Sequence, residues 1–479
     1  VLFHSFEFIF IFLPVAFAVY FLLNKIRWIT VAKGWLVISS LFFYSWWNVS
    51  YLPLIIGSMV FNYIIGKILT KWQFGLRKGI LALGIAFNVG LLGYYKYSNF
   101  FLTNMNAVFT TNVPLLKLAL PLAISFFTFQ QIAYLVDAYR QETKQYDFLS
   151  YALFVTFFPQ LIAGPIVHHK EMMPQFEQLR NKLVNYRNIA TGLFVFCIGL
   201  FKKVVIADTF AIWATYGFDE AVSLTMLEGW IVSLSYTFQL YFDFSGYADM
   251  AIGIALLFNI RLPINFHSPY KATSIQDFWR RWHMTLGRFL TQYVYIPLGG
   301  NRLGKFRTYL NLFFVFLISG LWHGAGWTFV FWGFLHGMAI VIHRLWKANG
   351  YTLNRYIAWF LTFQFVNISW VFFRAQEWAD AMKVLKAMFV FPEALALPTS
   401  AEAIVASLQV FPMVEYGEFA TLCIAAFLVI VICAQNSMDA MMNFRPNFTA
   451  SSVLMVFVAG VLLVSFLVNT NSEFLYFNF

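Results

Sequence analysis

Three clusters of residues in this sequence could do chemistry. The first is Leu-Trp-His-Gly-Ala-Gly-Trp at 321–327. His323 lies about 14 residues into an apolar run, roughly 20 Å along a helix, which sets an imidazole at membrane depth. Gly324 and Gly326 allow close approach of backbone and ligand, and a helix opened there frees N–H groups, the parts of an oxyanion site. Such an imidazole can act as a general base near neutral pH. It can equally be a structural histidine bonded to a neighbouring carbonyl, framed by Trp322. His336 and His343 follow in the same apolar stretch. On a straight helix His336 would stand about 20 Å from His323 and about 140° round, so the two could share a metal only if the chain folds back. With neither an HExxH nor a cysteine ligand set, no metal is expected.

The second cluster spans 239–253, where Asp243, Asp249 and several hydroxyls interrupt an apolar run. The two carboxylates suit a proton relay or ion site, or a buried hydrogen-bond network that fixes a broken helix. No Lys or Arg is near in sequence, so a partner must come from elsewhere in the fold. The third is Phe-Trp-Arg-Arg-Trp-His at 278–283. Arg280 and Arg281 could hold phosphate groups of a donor or of lipid. No GxSxG, P-loop or dinucleotide fingerprint is found.

The elements that carry these clusters follow from composition. Of 479 residues, 61% are hydrophobic and 11% charged, against roughly 45–50% and about 25% in a soluble domain. Soluble and disordered chains are excluded. With 59 phenylalanines and 16 tryptophans, the chain can hide its apolar surface only in a bilayer, where about 20 apolar residues make one span. An all-α polytopic membrane protein with about 9–12 transmembrane segments is expected. The 32 basic and 21 acidic residues give a net +11. The basic residues sit in short loops between apolar runs, which indicates topology and membrane lipid rather than nucleic acid. Cys197, Cys423 and Cys433 have no CxxC pairing and read as packing residues.

The positive-inside rule orders the loops. The run at 8–23 has no basic region before it and Lys25, Arg27 and Lys33 after it, so it reads as a first span rather than a cleavable signal. Runs at 35–47, 52–66, 79–95 and 118–136 alternate correctly. Residues 148–165, with Pro159, Gly164 and Pro165, read as a re-entrant or broken segment that keeps the basic cluster after it inside. Residues 189–206 and 227–244 form an out-and-back pair, and 247–260 looks like a half-helix. Segment 261–307 holds eight Lys or Arg residues and is placed in the cytoplasm. Within it, 275–290 reads as one amphipathic helix in the membrane interface. Residues 309–346 are too long for one span and must break near Gly320, Gly324 and Gly326. Runs at 356–373, 418–434 and 452–469 read as ordinary spans. We expect one integral membrane domain over 1–479, with its motif core at about 120–345.

With these motifs in hand, the sequence resembles the membrane-bound O-acyltransferase family, and within it the bacterial alginate O-acetyltransferase branch. The matching motifs are 239–253, 278–286, the Leu-Gly-Gly-Asn-Arg turn at 298–302, 320–337 with its Trp-His-Gly, 159–165, and Lys202-Lys203 to Asp208. The likeness runs from the N-terminus to about residue 375. It implies a ring of membrane helices around a central tunnel in which a funnel and a cytoplasmic cavity approach one histidine. By motif match that residue is His323, with His283 as a second family histidine and His336 at a recurrent position. The resemblance implies transfer of an acyl group, in this branch acetyl, from a cytoplasmic thioester such as acetyl-CoA, with no bound cofactor. The group is carried across the inner membrane toward hydroxyls of an exported polysaccharide such as alginate, with periplasmic acetyltransferase partner proteins. His323 would take the acceptor's proton, or be acylated itself. The competing readings are D-alanyl transfer from a carrier protein and a non-enzymatic transporter or flippase.

Overall fold

The computed structural model describes residues 2–71, 75–143, 146–390, 414–445, 460 and 474–475. Among these residues it is helical with no β-strand. Seven helices are long and apolar enough to cross a membrane: Phe8–Lys25, Val49–Lys71, Arg77–Phe109, Tyr186–Glu220, Met226–Leu257, Trp327–Ala348 and Arg355–Arg374. Glu418–Cys433 and Ser437–Asn443, bent by 49°, make an eighth if taken as one span, and Ile29–Ser45 is a shorter apolar helix. The nine to twelve segments expected counted every apolar run. The run at 452–469 lies outside the described residues.

The segment at 148–165 is broken, as its prolines require. Helix Phe148–Thr156 stops at Phe157, and Phe158–Leu161 restarts with Pro159 in its first turn, where a missing N–H costs nothing. The opened backbone is satisfied by side chains. Gln160 Nε2 donates to the Phe154 carbonyl at 2.6 Å, and Ser40 Oγ accepts the Phe158 N–H at 3.1 Å. Irregular backbone of this kind is stable at membrane depth only when protein surrounds it, and residues 150–167 are all buried.

The half-helix expected at 247–260 is not there. Residues 247–257 are the last turns of Met226–Leu257, a continuous 32-residue helix, buried from Ile231 to Leu257 save one half-buried position. It begins on a capping box: Thr225 Oγ1 accepts the Glu228 N–H and the Glu228 carboxylate accepts the Thr225 N–H. The polar interruption that suggested a break is satisfied by a neighbour. Lys203 Nζ lies 2.8 Å from Asp243 and 2.9 Å from Asp208, and Lys202 Nζ lies 2.7 Å from Asp249 and 2.9 Å from Ser437 Oγ. Both lysines stand on the π-helical stretch Lys202–Ala207 of Tyr186–Glu220. Glycines let the two helices meet. A Cβ on Gly199 would lie 2.5 Å from the Gly246 carbonyl oxygen, and one on Gly253 would lie 2.5 Å from that of Gly192. This is the small-residue contact by which membrane helices approach backbone to backbone.

The single amphipathic helix expected at 275–290 is two short ones, Ile275–Trp279 and Met284–Leu290. Between them Arg281 O accepts the His267 N–H and Met284 N–H donates to Asn265 O, each at 2.9 Å, while His283 takes a left-handed φ of 43°. Pairing with the extended stretch 265–267 wins over helix continuity. The apolar face does not lie on lipid: Trp282 is 1% exposed and packs on Phe266 and Trp370.

The Lys202–Asp249 pair gives a test of this packing. Asp249→Leu strands a buried ammonium, and removing one partner of a buried pair costs about 3–5 kcal/mol. The variant should melt well below wild type in detergent, and Lys202→Met combined with it should recover most of the loss. Equal melting of the single variant and wild type would refute the pairing.

Candidate active site

The site is built on one interrupted hairpin. Helix Gly304–His323 ends on its histidine, Gly324 and Gly326 are extended, and Trp327–Ala348 returns alongside. The expected break is therefore present. The two arms touch at Gly320 and Gly333: a Cβ on Gly320 would lie 2.4 Å from Phe329 O and 3.0 Å from Gly333 Cα.

Ending a helix inside a packed core leaves carbonyls that need donors. Lys96 supplies them. Its Nζ donates to Trp322 O at 2.6 Å and His323 O at 3.0 Å, and Tyr97 OH donates to Leu321 O. Trp327, which opens the second arm, donates from Nε1 to Asn104 Oδ1 at 2.8 Å. All three partners stand on Arg77–Phe109. Lys96 escaped the sequence reading, although a lysine in Gly-Tyr-Tyr-Lys-Tyr within an apolar span is itself a signal.

His323 is 3% exposed and ringed by aromatic side chains. Its ring centroid lies 4.9 Å from Trp322, 5.2 Å from Trp332, 5.1 Å from Phe373 and 6.4 Å from His283. Trp322 stacks on Phe129 at 5.0 Å, so it braces the backbone beside His323. Gly324 N–H returns to Gly320 O at 3.3 Å. The N–H groups free of intrahelical partners are thus those opening Trp327–Ala348.

His283, fully buried, comes to His323 from segment 261–307. Its Nδ1 lies 3.1 Å from Asn265 Oδ1, an oxygen that also accepts from Thr285 Oγ1 at 2.8 Å. An amide oxygen can only accept, so Nδ1 carries the proton and Nε2 is the basic nitrogen of the neutral ring. His336 is not 20 Å away. The straight-helix premise fails at the glycine break, and the returning arm brings the His336 ring within 4.7 Å of Trp332, which also touches His323. Both His336 nitrogens are engaged. Nδ1 accepts from Trp279 Nε1 at 3.1 Å, and Nε2 donates to Ser369 Oγ at 3.0 Å, whose own proton goes to Val366 O. That is the geometry of a positioning residue.

The paired arginines diverge. Arg280 lines a cavity of about 490 Å³ together with Arg288, Arg344, Gln276, Trp279 and Ser319. Ser319 lies one turn before His323 on the same face. Arg281 is not on that wall. It pairs with Asp277 at 2.9 Å and reaches His267 O. Arg288 and Arg344 share the wall, and no spacing in the sequence relates them to Arg280. Asp243 and Asp249 do not join His323. Each is held by a lysine, and Asp243 Oδ2 also accepts the Leu475 N–H at 3.0 Å.

A buried neutral imidazole beside a helix break, with a cationic cavity one turn away, can take a proton from a hydroxyl as it attacks an acyl group. The membrane-bound O-acyltransferase family matches residues 3–376. A peptidoglycan O-acetyltransferase of Helicobacter pylori is 49% identical across 100% of this chain and 97% of its own length. A probable alginate O-acetylase AlgI of Pseudomonas aeruginosa is 42% identical over 81% of this chain and 75% of its own. A teichoic acid D-alanyltransferase of Streptococcus thermophilus is 27% identical over 49% of this chain and 59% of its own. The interrupted hairpin that ends on His323 thus lies inside the matched region, and the chain belongs to the membrane-bound O-acyltransferase family as a multi-pass O-acyltransferase.

Proposed function

We propose that the protein takes an acetyl group from a cytoplasmic thioester, acetyl-CoA or a related donor, and passes it across the bacterial inner membrane toward hydroxyls of a cell-envelope polysaccharide. The observation that carries this reading is His323, buried at the end of helix Gly304–His323 one turn from the arginine-lined cavity. The relative with 49% identity from end to end is named for peptidoglycan, which favours a peptidoglycan hydroxyl as the final acceptor. An alginate-like polymer is the second reading, favoured by the 42% relative. Periplasmic acetyltransferase proteins complete the transfer in this scheme. The D-alanyl alternative finds less support, since that likeness covers half the chain.

The chemistry needs few parts. The donor's phosphates lie against Arg280 and Arg288, and its thioester reaches past Ser319 to His323. His323 takes the proton of the attacking hydroxyl as the new C–O bond forms. The tetrahedral oxyanion is held by the N–H groups opening Trp327–Ala348. The C–S bond then breaks, and the thiolate leaves with a proton. His283 and His336 hold the aromatic wall, and its dryness protects the acyl group from water.

Three variants test this scheme. His323→Gln keeps size and hydrogen bonding but cannot take a proton. It should reduce acetylation by about 10²–10⁴-fold, read as base-labile acetate released from envelope glycan at equal protein abundance. Full acetylation would eliminate the base and nucleophile roles together. Lys96→Met should lower turnover with little change in donor KM, because it frees the carbonyls that fix His323, and Lys96→Arg should restore part of the rate. An unchanged rate in Lys96→Met would dismiss the positioning role. Arg280→Ala should raise donor KM about 10–100-fold, the value of a charge-assisted hydrogen bond, with kcat retained, whereas Arg281→Ala should act on stability through Asp277. Equal KM effects from both would overturn the division.

A further inference from the structure

Three stretches far apart in sequence converge on one carboxylate outside the acyl-transfer site. Asp137 lies at the end of helix Ile124–Tyr139, His168 and His169 open helix His169–Glu177, and Tyr293 belongs to the π-helical stretch Thr291–Tyr295. Around Asp137 Oδ2 stand His168 Nε2 at 2.8 Å, His169 Nε2 at 2.9 Å and Tyr293 OH at 3.1 Å. His168 Nε2 is 2.5 Å from Tyr293 OH. Asp137 and His169 are buried, at 1% and 0% exposure. His168 faces a cavity of about 290 Å³ through which an ion could enter.

We propose that Asp137, His168 and His169, with Tyr293 as fourth donor once its phenol proton is released to solvent on binding, form a site for a divalent first-row metal ion of the zinc class. Two imidazoles and a carboxylate are the donor set that zinc, nickel and cobalt favour, and hard cations such as magnesium do not. The geometry is close to what such an ion needs. Four donors in a tetrahedron with bonds of about 2.0–2.1 Å stand roughly 3.3 Å apart. The separations from Asp137 Oδ2 to its three neighbours, 2.8, 2.9 and 3.1 Å, need to open by less than about 1 Å, and the ligand atoms of Asp137, His168 and His169 all lie within 4.8 Å of one another. The rings are already oriented: His169 meets Tyr134 and Tyr146 edge-on at 6.0 and 5.9 Å. Charge does not forbid it. The cavity wall carries three carboxylates, Asp137, Glu142 and Glu171, and three cations, Arg140, Lys170 and Arg288. Lys170 pairs with Glu142 and Arg288 with Glu171, so the ion meets a wall of no net charge.

The expectation of no metal rested on sequence spacing, and this set has none to read. Its histidines are adjacent in the chain, and its carboxylate and phenol come from positions 137 and 293. The ion would fasten the loop after the broken segment to the end of helix Ile124–Tyr139 and to the segment carrying Arg288. It is a clamp between distant segments, independent of the acyl-transfer reading.

The test uses the full-length protein in detergent, purified on a tag free of histidine, stripped with chelator and dialysed against Zn²⁺ alone. Wild type should hold about one tightly bound ion per chain more than His168→Ala/His169→Ala. His343→Ala should match wild type. Co²⁺ in place of zinc should give the visible absorption of a four-coordinate site, absent in the double variant. If the double variant does not fold, Asp137→Asn and wild type are compared by melting with and without Zn²⁺, and only wild type should shift upward. Zinc content and melting in wild type no different from the variants would overturn the proposal and leave a carboxylate held by three hydrogen bonds.

Discussion

A helix cannot stop inside a packed core unless something takes its last carbonyls, and the Lys96 side chain does so here. It spans Trp322 O and His323 O from a different helix. Once those carbonyls are satisfied, the chain can be extended through Gly324 and Gly326 and turn back, and His323 is fixed at the turn. The other features of the site follow. The returning arm brings Trp332 and His336 to the histidine, and the glycine contact between the arms leaves no room for lipid or water between them.

The same principle governs the rest of the fold. Polar groups at depth are kept because a partner from another helix meets them. Lys202 and Lys203 answer Asp249 and Asp243 across a glycine-to-glycine contact. Asn62 bonds both Asn88 and Gln131, which joins helix Val49–Lys71 to Arg77–Phe109 and Ile124–Tyr139. Gln160 and Ser40 answer the backbone of the broken segment. A buried pair gives little net stability over apolar packing but penalises every other arrangement of the helices, and so selects this one.

Segment 261–307 shows how a polar stretch becomes part of a membrane core. Asn265 accepts from the His283 ring and from Thr285, and the neighbouring backbone pairs with residues 281 and 284. These bonds break the helix at the one place that turns His283 inward. The arginines next to it then part, Arg280 to the cavity and Arg281 to Asp277.

Much of this was legible in the sequence. Composition alone required a polytopic helical protein, because only lipid can cover so much apolar surface. Prolines and glycines marked the breaks at 157 and 324, because those residues change backbone options wherever they occur. His323 stood out because a charged-capable group at depth beside such a break is costly. What the sequence could not carry was pairing between distant segments. The reading of 247–260 as a half-helix failed because the segment, too short to span by itself, continues the helix from Met226, and the lysine that satisfies its Asp249 lies on another helix. The reading of 275–290 as one helix failed because backbone bonds to 265 and 267 outweigh a clean apolar period. His336 was placed 20 Å away because a period describes a straight helix, and the chain is not straight there. Periodicity and composition are local properties and can be read along the chain. Which donor meets which acceptor at depth depends on how helices pack, and only the tertiary structure decided that.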